Sequence, residues 1–315
     1  MEDAFSEFAN YPDAEAIDQM VADLWETVAS VPFEAKVLDQ RGLGDTLEMS
    51  HMHGFSYVRF RPEGMDPFYG YWQPAASQPA PLLVHTPGYG AGIQAHPDLV
   101  AQGYNVLHVN PLGYMTPKGP DESKARNGIW PVFWDTVFSG FENGYGRWLI
   151  NVMQAVSWAQ EEEGVLPDRL SFFGTSQGGG ASLWLGSIYR DEGVRCVAAD
   201  EPFMVHFPAY KVLRPGWLAD GGAFEGIYDR VDEAEDSAEL WYRLGLIDAL
   251  SHVHRLTMPV LLTAGGADES CPAQTILELF ERLPGTKSMV YLEGQSHGQT
   301  RGFPALAAAW FRLYA

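Results

Sequence analysis

The sequence predicts an α/β fold, a mostly parallel, twisted sheet with helices on both faces. Three observations predict it. From Pro81 onward, short apolar runs alternate with helix-patterned stretches, and that rhythm calls for parallel strands joined by crossover helices. The apolar run at 169–173 leads through Gly174-Thr175-Ser176-Gln177-Gly178 into Gly179-Gly180-Ala181-Ser182-Leu183-Trp184, which reads as strand, sharp turn and helix with a serine held out at the turn. Two later apolar runs end on an acid and on a histidine, at Asp268 and His297. That is the chain order of the α/β-hydrolase fold, serine first, then acid, then histidine.

Each element follows from local pattern. Pro12 stands near the start of a helix over 12–30, because Ile17, Met20, Val21, Leu24, Trp25 and Val28 recur at helical spacing. In 35–73 the apolar residues Val37, Leu47, Met49, Phe55, Tyr57, Val58 and Phe60 fall in short runs broken by Gly42, Gly44, Gly54 and Pro62, followed by Phe68-Tyr69-Gly70-Tyr71-Trp72. These read as antiparallel strands at one edge of the sheet. After a Pro/Ala/Ser connector, strands are predicted at 82–85, 106–110, 169–174, 194–199, 258–264 and 288–292. Helices are predicted at 96–102, 144–163, 177–190, 272–283 and 304–314. The stretch 205–250 breaks the rhythm with prolines, glycines and the acidic run at 229–239. It reads either as a cap insertion over the site or as a solvated loop and helix. The 315 residues suffice for one large core, so 1–315 is expected to be a single domain, with 1–75 supplying the N-terminal helix and edge strands.

Composition excludes several function classes. With 41 acidic against 20 basic residues, the net charge is −21. Such a surface disfavours nucleic acid and anionic membranes as partners. No apolar run approaches the ~20 residues needed to span a bilayer. The acidic start Met1-Glu2-Asp3 lacks a secretory pattern, so a cytoplasmic protein is expected. Cys196 and Cys271 allow at most one disulfide, and Cys196 reads as a small core residue in a strand.

A serine hydroxyl is a poor nucleophile at neutral pH and needs a base within hydrogen-bond reach and an acid to orient that base. Ser176, His297 and Asp268 are the candidates, each just beyond the C-terminal end of a predicted strand, where open α/β sheets place their sites. Glu269 and Asp200 are competing acids. An oxyanion hole needs backbone N–H groups aimed at the developing charge. The N–H of Gln177 follows the nucleophile, and Tyr89 lies in the glycine-flanked loop Thr86-Pro87-Gly88-Tyr89-Gly90-Ala91-Gly92. The aromatic run containing Trp130, Phe133, Trp134, Phe138, Phe141, Tyr145 and Trp148 reads as core packing or as a pocket wall in which Trp130 and Trp134 would touch substrate. His51-x-His53 and His252-x-His254 have metal-like spacing but no supporting Cys, Asp or Glu, so strand alternation or a polar helix end explains them better. There is no phosphate loop or dinucleotide fingerprint. No metal and no organic cofactor are expected.

The Ser176-Gln177-Gly178-Gly179 turn and the Asp268-Glu269-Ser270-Cys271-Pro272 loop resemble the Ser-Gln-Gly-Gly and Asp-x-x-Cys-Pro motifs of the acetyl xylan esterase / cephalosporin C deacetylase family of α/β-hydrolases. Gly88-Tyr89 is similar to its oxyanion loop, and His297 to its triad histidine. Asp200-Glu201-Pro202-Phe203 resembles the segment bordering its pocket, which implies substrate contact by Pro202 and Phe203. The resemblance covers roughly residues 65–315. It implies a serine esterase acting on small-acyl esters, possibly of sugars, with a small-molecule substrate and a homo-oligomeric assembly. The chain departs from the family in carrying Asn110-Pro111-Leu112-Gly113-Tyr114 in place of an Arg-Gly-Gln segment, and Gly298 in place of glutamate after the histidine. Both departures spare the three candidate residues and bear on sugar specificity and assembly. The rival readings are a general carboxylesterase for longer acyl chains, an amidase or peptidase, and a non-catalytic binding relative.

Overall fold

The structure, a computed structural model, describes residues 5–38, 54–90, 92–121, 123, 132–222, 224–298, 300 and 302–315. Strands β1 (Phe33–Val37), β2 (Ser56–Pro62), β3 (Phe68–Gln73), β4 (Ala80–Thr86) and β5 (Asn105–Asn110) are followed by a two-stranded ribbon, β6 (Met115–Thr116) and β7 (Gly119–Pro120). Strands β8 (Val165–Thr175), β9 (Val194–Asp200), β10 (Val260–Gly265) and β11 (Lys287–Leu292) complete the set. Nine of them form one sheet in the order β1-β2-β3-β5-β4-β8-β9-β10-β11. Pairing is antiparallel from β1 through β3 onto β5, and parallel from β5 to β11. The mostly parallel sheet with an antiparallel edge is the predicted α/β-hydrolase architecture. Leu47 and Met49, read as part of that edge, lie outside the described residues.

Both faces of the parallel strands are covered, and alternation along each strand divides their side chains between two cores. Leu82, Val84, Leu107, Val109, Leu170 and Phe172 point into the larger core, under α1 (Ala14–Ser30), with α2 (Pro97–Ala101) on the far side and α3 (Val132–Trp134), α4 (Tyr145–Glu161) and α5 (Gln177–Ile188) on the near side. Leu83, Val106, Phe173, Cys196 and Ala198 point the other way, against Leu99 of α2 and Phe303 and Phe311 of the last helix. Helix α1 begins where the Asp13 carboxylate accepts the Ala16 N–H at 2.9 Å, an N-cap that satisfies one orphan donor. It buries Ile17, Met20, Val21 and Leu24, the stripe that its spacing predicted.

The segment 205–250 carries α6 (Phe207–Leu213), α7 (Ile227–Asp232) and α8 (Ser237–Leu246), ahead of α9 (Ala273–Arg282) and α10 (Phe303–Tyr314). Phe207, Tyr210, Phe224, Ile227, Trp241 and Leu244 are buried in the larger core, so a solvated loop does not describe it. Asp248 holds its base. This buried carboxylate accepts the N–H groups of His206, Phe207 and Leu250 and the Tyr11 hydroxyl, at 2.8–3.0 Å. Among the described residues no helix is long and apolar enough to cross a membrane.

Candidate active site

Ser176 stands between β8 and α5 with φ 59° and ψ −121°, a backbone conformation that an L-residue keeps only where its surroundings over-determine it. Here they do. Its N–H donates to the Asp200 carbonyl at 2.9 Å, and its own carbonyl accepts N–H groups from Phe203 and Gly180 at 2.9 and 3.0 Å. The turn also needs its glycines. A Cβ on Gly174 would stand 2.5 Å from the Thr86 carbonyl oxygen, and one on Gly178 would collide with that same oxygen. Strand β4 and helix α5 therefore approach too closely for any side chain at either position.

His297 follows β11 and Asp268 follows β10, so parallel pairing of β8, β9, β10 and β11 delivers all three candidates to one edge of the sheet. His297 Nε2 lies 2.9 Å from Ser176 Oγ, and its Nδ1 lies 2.8 Å from Asp268 Oδ2. Asp268 uses its other oxygen to accept the Ser270 and Cys271 N–H groups, both at 2.7 Å. Those two amides hold the carboxylate in place while its Oδ2 faces the ring. Of the competing acids, Glu269 is exposed. Asp200 is occupied by the hydroxyls of Thr263 and Thr175, at 2.5 and 2.9 Å.

A second carboxylate, Glu201, is fully buried beside the histidine, with Oε2 3.7 Å from Nδ1. It accepts the Gly298 N–H at 2.6 Å and the Thr300 hydroxyl at 2.8 Å, so it ties down the loop that carries His297. Burial raises the Glu201 pKa, and those two hydrogen bonds partly offset the rise. At His297 burial opposes protonation, but the Asp268 hydrogen bond and charge, with Glu201 and Asp200 behind them, outweigh it, and its pKa is raised above the ordinary value. A hydroxyl facing an imidazole that a carboxylate orients can lose its proton as its oxygen attacks a carbonyl.

The serine opens into a cavity of about 390 Å³ lined by Tyr89, Phe203, Trp217, Phe224, Cys271 and His297. Of the residues expected to touch substrate, Phe203 lines this cavity. Trp134 packs behind Phe224 with centroids 5.8 Å apart, stacks on Phe138, and carries the Arg230 guanidinium on its face. Pro202 is buried against the first turn of α5. Trp130 lies outside the described residues. Gln177 opens α5, and its side-chain oxygen accepts the Tyr145 hydroxyl at 2.9 Å. Tyr89 sits on the cavity wall with its ring edge-on to Phe224. Trp217 and Phe224 were not legible as site residues, because the irregular 205–250 stretch has no periodicity to aim them. Glu201 could have been suspected from its place beside Asp200 at the end of a strand.

Asp268, Cys271 and His297 bring donor atoms within 4.8 Å of one another, but they suit a cation poorly. Asp268 is committed to His297 and two amides, and burial raises the Cys271 thiol pKa, which disfavours the thiolate that a metal requires. His252 hydrogen-bonds to Ser187 and to the Leu246 carbonyl, while His254 faces Asp18. His51 and His53 lie outside the described residues.

Comparison with known proteins agrees with this architecture. Acetyl xylan esterase 1 from Thermoanaerobacterium sp. JW/SL YS485 superposes with a TM-score of 0.76 at 19% identity, over 95% of this chain and 94% of the other. Acetyl xylan esterase from Paenibacillus sp. R4 gives 0.75 at 17% identity, over 97% and 96%. The acylaminoacyl peptidase of Pyrococcus horikoshii gives 0.57 at 18% identity, over 82% of this chain and 40% of that one. At these identities the likeness speaks for the fold. No curated protein sequence matches the chain. The sequence profile of the acetyl xylan esterase (AXE1) family matches residues 58–313, most of the chain's length, and the chain belongs to that family of ester hydrolases.

Proposed function

We propose that the protein hydrolyses small-acyl, acetyl-type carboxylic esters through an acyl-enzyme on Ser176. The observation that carries this reading is the continuous hydrogen-bonded series from Ser176 Oγ through the His297 ring to Asp268. Ser176 Oγ attacks the ester carbonyl while His297 Nε2 takes its proton. Asp268 keeps the other ring proton on Nδ1 and stabilises the imidazolium. The N–H groups of Tyr89 and Gln177 receive the oxyanion, the latter at the positive end of α5. His297 then protonates the departing alkoxide, and a water activated by the same ring releases the acid. Phe203, Trp217 and Phe224 form the apolar wall against which a short acyl group or the face of a sugar ring would rest. The strongly negative surface suits a neutral substrate better than an anionic one.

A panel of p-nitrophenyl acetate, butyrate and octanoate tests the acyl preference. The expected result is a kcat/KM highest for acetate and falling with chain length, since about 390 Å³ is at the small end of ligand cavities. A preference for octanoate would reassign the protein as a general carboxylesterase with the same three residues. Turnover of amides in preference to all three esters would make it an amidase.

The pH profile follows from His297. The ring must be neutral to accept the serine proton, so activity is lost as pH falls through its pKa. Because that pKa is raised, the acid limb of kcat/KM is expected above the ordinary histidine value of about 6.5. Glu201→Gln removes one of the charges that hold it up and should move the limb to lower pH. A purely structural role for Glu201 would lower the rate at every pH without moving the limb.

A further inference from the structure

Three histidines with no part in the ester chemistry meet on the other face of the sheet. Strand register sets Tyr57, Tyr71, His108, His85 and Phe173 in one row across β2, β3, β5, β4 and β8. His108 and His85 are buried at the centre of that row. His96 enters from above, out of the turn that starts α2, and is fixed there because its N–H donates to the buried Gln73 side chain at 2.5 Å. Its ring lies 4.3 Å, centroid to centroid, from that of His85. Nδ1 of His85 lies 2.7 Å from Nδ1 of His108. One ring nitrogen from each of the three falls within 4.8 Å of the other two.

Two features separate this cluster from ordinary core packing. The Nε2 atom of His96 is buried and has no hydrogen-bond partner among the described residues, whereas buried polar atoms are nearly always satisfied. A cavity of about 690 Å³, walled by α2, Phe173 and the start of α10, reaches both His85 and His96. It supplies an entry path and room for water.

We propose that His85, His96 and His108 form a binding site for one divalent transition-metal ion of the zinc type, with its fourth position open to water from the cavity. Three imidazoles without a carboxylate suit zinc, cobalt, nickel or copper rather than magnesium or calcium, which take oxygen ligands. Ligation through the two Nδ1 atoms opens the His85–His108 pair to roughly 3.3 Å, the nitrogen spacing at a tetrahedral ion with bonds of about 2.0–2.1 Å. The ion would join β4 and β5 to the turn before α2. It would stiffen the strand that continues from His85 into the Tyr89 loop.

The test is metal content of the purified protein, then zinc titration by calorimetry and cobalt titration by visible absorption after chelator treatment. Wild type, His96→Gln, His85→Phe and His297→Gln are compared. The expected result is one zinc per wild-type chain, with the d–d absorption of a four-coordinate cobalt site and a zinc-dependent rise in Tm. His96→Gln and His85→Phe should weaken zinc binding by at least about 100-fold, since even an outer-shell partner is worth about 10–100-fold. His297→Gln should bind as wild type does. If His85→Phe fails to fold, His96→Gln, at a half-buried turn, decides the matter alone. No saturable zinc binding by wild type overturns the proposal. So does binding that survives in His96→Gln, and loss of binding in His297→Gln would then place the ion at the Asp268, Cys271 and His297 cluster.

Discussion

Ser176→Ala should lower kcat/KM for p-nitrophenyl acetate by roughly 10⁵–10⁶-fold, the scale seen when a serine nucleophile is removed from an intact site. Folding should be untouched. The hydroxyl pairs with His297, and the turn is held by backbone bonds to Asp200, Phe203 and Gly180 that alanine keeps. The substitution should also abolish labelling by a fluorophosphonate, which reacts with an activated serine. The neighbouring Cys271 cannot substitute as nucleophile, because burial raises its pKa and keeps it a thiol. A folded variant that retains most of its activity would sink the acyl-enzyme reading, and one that loses activity but still labels would move the nucleophile to another serine.

Asp268→Asn is expected to cost about 10⁴-fold in kcat, with KM little changed. The asparagine oxygen can still accept the Ser270 and Cys271 amides at the position of Oδ1. Its NH₂ then faces His297 Nδ1, which must become the acceptor. The ring proton moves to Nε2, the atom that has to receive the serine proton, so the base is present in the wrong tautomer. Asp200→Asn is the decisive comparison. Asp200 serves Thr175 and Thr263, and losing its charge should cost far less than losing that of Asp268. A result in which Asp200→Asn is the more damaging of the two would assign the orienting acid to the end of β9 instead.

Much of this protein is legible along the chain. Strand–helix alternation after Pro81 specifies a parallel sheet because buried strands and amphipathic helices leave different apolar periods. The turn at Ser176 is readable because only glycine tolerates the approach of β4 to α5 at Gly178. Serine, acid and histidine each follow an apolar run, and in a parallel sheet the ends of such runs meet at one edge. Sequence thus determined the class of fold, its antiparallel edge, and a short list of residues for one site.

Tertiary structure decided what depends on neighbours far apart in the chain. It set Asp268 rather than Asp200 or Glu269 against the histidine, since all three stand at or just past a strand end and only the local path of the backbone aims each carboxylate. It brought Trp217 and Phe224 onto the cavity wall from a segment whose prolines and glycines erase any period. It turned the weighed pair His252 and His254 to hydrogen bonds with Ser187, Leu246 and Asp18. It also assembled His85, His96 and His108, whose spacing in the chain matches neither a helix face nor a strand. They are neighbours because β4 and β5 pair in parallel with His85 opposite His108, and register across a sheet is a property of two strands that neither carries alone.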